Sequence, residues 1–422
     1  MTGSHLNIVI ALKKSNRFII IIVSLTLFAL SCISPFEPKY KGETNFLVIE
    51  GSIIKGFKKQ VINISRASSV SNPVYTPITN CQVKVINDSG NEFIFSEDSQ
   101  GKYVATIDDA LLNYNDLYKL VLSLPSGENY ESGYQKLLKT SPVDSIYYKR
   151  EYHYNQKLND NSIEGIQFYA DLNAPDDASR YYKWQIEETW EVHATKKIYG
   201  VYDGNTVRVT LMPSDSLFFC WKSKPALGFY TSSTSNLSHN TIKKIPLNFT
   251  LSTADEFLIK YCATVREFAL NKDAYDYWHQ KELDMNESGQ IYSTQPAQIK
   301  SNISNTGNPD EKVLGFFWVS SCSEKHLFLE NPFGKYPIPG NSCTTVSLYA
   351  NKYGPEMEIP ILNYITSLKK IPIPKPPVYI YFECNPFSGD CYYFIALTND
   401  CLDCRLIPGY ASGTNHKPDF WE

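Results

Sequence analysis

Cysteine is the residue type with the clearest chemical potential in this 422-residue sequence, which contains ten of them. Six of them lie in the C-terminal part of the chain, and this density indicates a disulfide framework in an oxidising compartment. The spacing Cys401-Leu-Asp-Cys404 also occurs in zinc sites. We expect disulfides, because only His416 lies nearby as a further ligand and exported thiolates tend to be oxidised. The pairing is not determined by the sequence. The candidate disulfide cysteines are Cys322, Cys343, Cys384, Cys391, Cys401 and Cys404.

Carboxylates offer a second kind of chemistry. A hydrolase needs a pair of carboxylates across a cleft, or a nucleophile beside a base. The motifs Gly-x-Ser-x-Gly and His-Glu-x-x-His and a phosphate-binding glycine loop do not occur in the sequence, and solvated faces carry acids equally well. We therefore predict a protein that is not an enzyme and has no catalytic residue, cofactor or metal. The acids that a hydrolase would draw on are Glu187, Glu188, Glu191, Asp276 and Glu282.

The N-terminus reads as an export signal. An apolar run of roughly 13 residues, too short for a typical membrane-spanning helix, begins at Phe18 behind the basic residues Lys13, Lys14 and Arg17. It ends in Ala29-Leu30-Ser31-Cys32, which is similar to a bacterial lipobox. We therefore predict a lipoprotein signal peptide over residues 1–31 and a diacylglyceryl anchor on Cys32. The alternative is a simple cleavage site with a chance cysteine.

Composition narrows the class of protein further. The net charge of −4 and pI near 6.0 show no excess of basic residues, so nucleic acid is not an expected partner. Aromatic residues make up 14% of the chain, and Tyr, Val, Ile and Thr dominate the runs between turn residues. These residue types favour strands, so we predict a mainly β chain of at least two domains.

The pattern of elements predicts two tandem β-sandwiches. After a tether over residues 32–44, short strands with regular turns indicate an immunoglobulin-like or transthyretin-like sandwich over residues 45–140. Val83 and Val85, with Phe93 and Phe95, alternate with polar residues and mark its inward faces. A second, fibronectin-like β-rich domain is predicted over residues 141–330.

One stretch of the second domain reads as a helix. Asn271 is a suitable N-cap, Asp273 favours the first turn, and apolar residues recur at helical spacing, so we predict an amphipathic helix over 271–287 with Trp278 buried. Residues 331–422, rich in Pro and Cys, are expected to form disulfide-pinned loops packed on the second domain.

Several short motifs carry a family resemblance that covers nearly the whole chain after Cys32. The motifs include Leu47-Val48-Ile49-Glu50-Gly51, Tyr181-Tyr182 before Trp184, Val313-Leu314-Gly315-Phe316-Phe317, and the closing Lys417-Pro418-Asp419-Phe420-Trp421. With these motifs the sequence resembles a family of lipoproteins known only as a domain of unknown function and abundant in Bacteroidota. The resemblance implies an outer-membrane lipoprotein, usually encoded beside a SusC-like TonB-dependent receptor, and it supplies no catalytic residue.

A function follows as an expectation from this resemblance and the predicted anchor. We expect a non-enzymatic accessory or ligand-binding subunit of a TonB-dependent nutrient transporter, anchored in the outer membrane on a side that the sequence leaves open. The alternatives are a surface hydrolase acting on glycans or peptides and a structural assembly factor of the cell envelope. Tyrosines in pairs are the candidate ligand or partner contacts: Tyr147, Tyr148, Tyr392 and Tyr393.

Overall fold

A computed structural model describes residues 45–68, 74–154, 162–287, 299–335, 344–350, 358–367, 375–398, 400–407 and 413–422. The predicted signal peptide, the anchor Cys32, most of the predicted tether and Cys343 lie outside these residues. Residues 46–422 belong to one compact unit. The prediction of a mainly β chain is confirmed, and the described residues contain two α-helices and three short 3-10 turns.

The first sandwich contains nine strands, β1 to β9. Its inward faces follow the predicted alternation, since Val83, Val85, Phe93 and Phe95 are all buried in its core. The bounds are β1 Leu47–Lys55, β2 Lys59–Arg66, β3 Thr76–Pro77, β4 Gln82–Asn87, β5 Glu92–Ser99, β6 Lys102–Thr106, β7 Leu117–Ser123, β8 Asn129–Ser132 and β9 Gln135–Lys136. A 3-10 turn at Asp109–Leu111 precedes β7.

The chain then continues with strands β10 to β21. Their bounds are β10 Ser145–Tyr154, β11 Ser162–Asn173, β12 Tyr181–His193, β13 Ile198–Tyr202, β14 Val207–Ser214, β15 Phe219–Pro225, β16 Tyr230–Ser233, β17 Thr241–Leu251, β18 Lys260–Leu270, β19 Ile303–Asn305, β20 Val313–Leu314 and β21 Phe317–Glu330. The three-stranded sheet β10-β11-β17 covers one face of β12 and β18, where Phe168 and Leu247 pack with Trp184 and Val265. A 3-10 turn at Asp255–Phe257 precedes β18.

The first sandwich shares one continuous sheet with the later strands β12, β15, β18 and β21. In the order β15-β12-β18-β21-β1-β2, strand β21 pairs in parallel with β1, and Ser52 lies opposite Trp318. Residues after position 300 also return to the core of the first sandwich, to which they contribute Ile303, Val313 and Phe317. The parallel pair therefore brings residues near 50 against residues near 318.

One of the two α-helices was predicted from the sequence and the other was not. Helix α1 spans Lys272–Glu287, and Asn271 caps it as predicted. Helix α2, Glu358–Ser367, lies in the region predicted to be loops, and its Ile361 and Ile365 face a small core. Pro360 in its first turn is compatible with a helix, because the first turn needs no backbone N–H donor.

The region after residue 331 also contains strands. These are β22 Thr345–Tyr349, β23 Val378–Cys384 and β24 Cys391–Ala396, followed by a 3-10 turn at Cys404–Leu406. They form a five-stranded sheet with β13 and β14, in the order β14-β13-β23-β24-β22. The region therefore differs from the predicted loops, because its Val, Tyr and Ile residues between the prolines pair as strands.

Candidate functional site

A cavity of about 200 Å³ lies where the first sandwich meets helix α1 and strand β21. The strands β1 and β2 supply a polar floor, which we define as Glu50, Ser52 and Asn63. Glu50 and Asn63 are directly opposite each other across the two strands. Their neighbours Ile49 and Ile62 point into the sandwich core, so alternation along each strand directs the polar side chains toward the cavity.

Four aromatic residues, defined here as the aromatic wall, face this floor. Helix α1 supplies Tyr277 and Trp278, β21 supplies Trp318, and Phe316 precedes β21. The ring centroids of Tyr277 and Phe316 are 4.7 Å apart, and those of Trp278 and Trp318 are 5.7 Å apart. Rings at these separations support one another, so the wall is preorganised. Trp278 is half-buried and not fully buried as predicted, because one side of it lines the cavity.

Gly315 fixes the position of Phe316. Its φ is +91°, and a Cβ atom there would lie 2.0 Å from the carbonyl oxygen of Ile49. Only glycine allows the chain to pass so close to β1. The Gly51 N–H then donates to the Phe316 carbonyl at 3.2 Å, which ties the wall to the floor strand.

The floor residue Glu50 forms an ion pair beside the cavity. Lys281 Nζ of helix α1 is 2.8 Å from Glu50 Oε1 and lies 5.2 Å from the ring centroid of Trp278. Burial opposes the charge on Lys281, but hydrogen bonding and attraction to Glu50 outweigh it and raise the pKa of Lys281. The ion pair therefore favours the charged form of Lys281.

Lys183 of strand β12 is buried directly behind the aromatic wall. Its side chain is 2% exposed, and Nζ lies 3.4 Å from the ring centroid of Trp278 and 4.6 Å from that of Trp318. The rings of Phe229 and Phe268 complete the enclosure at 5.1 and 5.9 Å. Loss of hydration, reinforced by the charge of Lys281, holds the pKa of Lys183 well below its usual range.

The start of helix α1 is tied to the first sandwich through Asn271. Its Oδ1 accepts from the Ala274 N–H at 2.8 Å, and its Nδ2 donates to Gln135 Oε1 at 2.6 Å. We expect Asn271→Ala to lower the free energy of unfolding by about 1 kcal/mol, because an N–H at the helix start loses its acceptor. Urea unfolding measures this loss. Asn271→Asp keeps the acceptor and is the control; an equal loss in both variants would contradict the capping role.

The tyrosines predicted from the sequence as contacts lie elsewhere. Tyr147 stacks on Tyr169 with centroids 5.6 Å apart, and Tyr148 beside it is exposed on β10. Tyr392 and Tyr393 lie on β24 in the five-stranded sheet. The structure thus places the pairs on two different sheets, and neither pair lines the cavity; their role as contacts stays a prediction.

The acids considered for hydrolysis are engaged in separate contacts. Glu188 accepts from the Tyr261 hydroxyl at 3.0 Å, and Glu187 pairs with Arg266 at 2.6 Å. Glu191 contacts His193 and accepts from the Trp421 indole. Asp276 pairs with Lys272, and Glu282 accepts from the Thr231 N–H at 3.0 Å. None of the five lines the described cavity.

The cysteines form disulfides in part as predicted. Cys384 is bonded to Cys391, Cys404 is bonded to Cys220, and Cys401 is also disulfide-bonded. Cys220 was not anticipated, because 184 residues separate it from Cys404 and only the fold brings them together. Cys322, expected in the framework, is instead a free thiol, since it lies on β21 opposite Phe268 among the apolar contacts of helix α1.

Sequence reasoning also missed the residues that build the cavity. Glu50, Trp278 and Trp318 are far apart in the sequence, and no local motif links them. Across the described residues, no group of three or more His, Cys, Asp or Glu side chains is arranged to hold a metal ion. No α-helix in the same ranges is long and apolar enough to span a membrane.

Together the fold and the cavity define a mainly β protein with an aromatic-walled cavity beside the parallel strand pair β1 and β21. The chain belongs to the family described as a domain of unknown function, DUF4249, whose model matches residues 33–326. A comparison with curated proteins finds no match.

Proposed function

We propose that this protein is a non-enzymatic lipoprotein of the outer membrane that binds a ligand as an accessory subunit of a TonB-dependent nutrient transporter. The observation that carries the proposal is the cavity itself. It combines an apolar, preorganised wall with a few convergent polar groups, which is the usual composition of a small-molecule binding site. The residues lining it include no Ser–His or Cys–His combination of the kind that activates a nucleophile, so binding without reaction suits it best.

A lipid anchor on Cys32 would hold the folded domains close to a transporter in the same membrane. Acyl chains confine the folded domains to the plane of the membrane, and two or more chains make the anchor durable. Confinement raises the effective concentration of the module at a barrel in the same membrane without any new contact. The motifs shared with lipoproteins encoded beside SusC-like receptors support the same partner.

Co-isolation from purified outer membranes tests the partnership. A tag should follow Glu422 through a flexible linker, because the neighbouring Trp421 is buried against Trp221 and Phe328. We expect a TonB-dependent barrel to be recovered in a stoichiometric amount. Recovery of the protein alone under conditions that preserve other outer-membrane complexes would contradict the proposal.

Replacing the predicted acylation site provides the matched control. We expect Cys32→Ala to abolish acylation, to release the protein from the membrane fraction and to abolish recovery of the barrel, at unchanged expression. Mass spectrometry of the wild-type N-terminus checks the anchor directly. An unmodified mature N-terminus on a freely soluble wild-type protein would remove the basis of the proposal.

A further inference from the structure

We propose that the cavity binds one uncharged, polyhydroxylated six-membered ring, such as a pyranose residue of a glycan, with a C–H face on the aromatic wall and hydroxyls on the polar floor. This inference rests on the proposed function and specifies the ligand class of its site. It is drawn from four properties of the cavity: its rings, its free polar groups, its charge balance and its size.

The aromatic wall provides an apolar surface for one side of a ring. Tyr277, Phe316 and Trp318 are buried and hold Trp278 in place, and half-buried Trp278 presents the ring surface to the cavity. A sugar ring has one face of C–H groups that is poorly hydrated, and the Trp278 indole can pack against such a face. A flexible polar chain would leave this surface unused.

The polar floor provides the hydrogen-bonding partners that hydroxyl groups need. Asn63 presents an amide that both donates and accepts, and Ser52 presents a hydroxyl with the same capacity. Within the described ranges, neither of these side chains makes a hydrogen bond. Since Asn63 lies opposite Glu50, an amide and a carboxylate stand side by side on the floor and suit a ligand that carries several hydroxyls.

The charge balance of the cavity excludes a preference for a charged ring. Glu50 is the charged side chain among the described lining residues, and Lys281 of helix α1, beside the lining, pairs with it at 2.8 Å. An acidic ligand would meet repulsion from Glu50, and a basic ligand would meet repulsion from Lys281. A neutral ligand leaves the ion pair intact and still uses both groups as hydrogen-bond partners.

The size of the cavity limits the ligand to one ring. Its volume of about 200 Å³ is below the ~300 Å³ at which sites for drug-sized molecules begin. A longer glycan would therefore place one residue in the cavity and leave the rest in solvent. The competing neutral ligand of this size is a zwitterionic amino acid, which would have to separate Glu50 from Lys281 to pair with both.

Fluorescence titration of the full-length, detergent-solubilised protein tests the ligand class, because Trp278 and Trp318 report on the cavity directly. The probes are methyl glycosides of neutral hexoses, their uronic acid and amino-sugar counterparts, and aliphatic amino acids, none of which fluoresces. We expect saturable binding of at least one neutral glycoside, about tenfold tighter than its charged counterparts. Trp278→Ala should weaken this binding by about tenfold or more, whereas Phe387→Ala, at a 97% exposed residue outside the cavity, should leave it unchanged.

Breaking the ion pair from each side gives a specificity switch. Glu50→Gln leaves Lys281 unopposed, so the uronic acid should bind about tenfold tighter than to the wild type. Lys281→Met leaves Glu50 unopposed, so the amino sugar should gain by about the same factor. A structural role alone would not produce opposite changes in ligand charge preference.

The outcomes separate this inference from the proposed function. Tighter wild-type binding of a charged sugar or an amino acid would overturn the neutral-ring inference and leave a ligand-binding accessory subunit in place. Co-isolation with a barrel but no glycoside binding would overturn it in the same way. Neutral glycoside binding without a barrel partner would uphold the ring and overturn the transporter function.

Discussion

Glu267→Gln is expected to stabilise the protein increasingly as the pH rises from 4.5 to about 8. The Glu267 side chain is fully buried on β18, and neither carboxyl oxygen has a hydrogen-bond partner within the described ranges. Burial raises the pKa of Glu267 from 4.5 to about 8. Between these values the folded state keeps a proton that the unfolded state has released.

The sign of this effect follows from proton binding. Because the unfolded state binds fewer protons over this interval, wild-type stability falls by roughly 1 kcal/mol for each pH unit, and it levels off above the folded pKa. Glutamine keeps the shape but cannot ionise. Its advantage should therefore be small near pH 4.5 and reach several kcal/mol near pH 8.

Urea unfolding at a series of pH values measures the Glu267→Gln effect. Glu330→Gln is the matched control, because Glu330 lies on the adjacent strand β21 with an 81% exposed side chain. Its stability should follow that of the wild type. Parallel curves for Glu267→Gln and the wild type over the whole range would contradict a neutral buried carboxyl.

Lys183→Met is the second large effect, and its pH dependence has the opposite sign. A charged amine over aromatic rings gains ~2 kcal/mol from cation–π contacts, but removing an ammonium from water costs several kcal/mol. Desolvation therefore prevails and holds the pKa of Lys183 well below its usual range in the folded state. The unfolded state still binds a proton up to about pH 10.5.

Wild-type stability should thus gain a rising contribution from Lys183 as the pH increases toward 10.5, and Lys183→Met should remove it. The variant should be more stable than the wild type at neutral pH, since methionine fills the space between Trp278 and Trp318 without a group to desolvate. Unfolding followed by tryptophan fluorescence measures the change. The exposed Lys149→Met is the control on β10.

The Glu267→Gln and Lys183→Met variants should change the pH dependence of stability in opposite directions. Glu267 makes stability fall with pH and Lys183 makes it rise, so the two contributions oppose each other in the wild type wherever they overlap. Glu267→Gln alone should reveal a rising curve, and Lys183→Met alone a falling one. If both variants changed the slope in the same direction, the assignment of at least one buried group would be wrong.

The sequence predicts local structure better than it predicts the cavity. Alternation identified Val83, Val85 and Phe93 as inward residues, and all three are buried, because one covered sheet face imposes a period of two. Asn271 marked the start of helix α1 through the same local chemistry. Helix α2 was missed because ten residues with a proline give a weak periodic signal.

The candidate site escaped prediction for a different reason. Glu50 and Trp318 meet only because β1 pairs in parallel with β21, and no local pattern specifies that pairing. Lys183 lies between Tyr182 and Trp184 on β12, which is covered on both faces, so all three side chains are buried and no sequence pattern marks the lysine. The sequence pointed instead to pairs of tyrosines, because it does not show which sheet carries each of them.

The parallel pairing of β1 with β21 also sets the order of events during folding. Strand β1 stands at the start of the compact unit, yet its partner is complete only at Glu330. Closing so long a loop is entropically costly and makes topologies rich in distant contacts slow to fold. The floor strand can pair early with β2, but it gains its parallel neighbour only after most of the chain has been made.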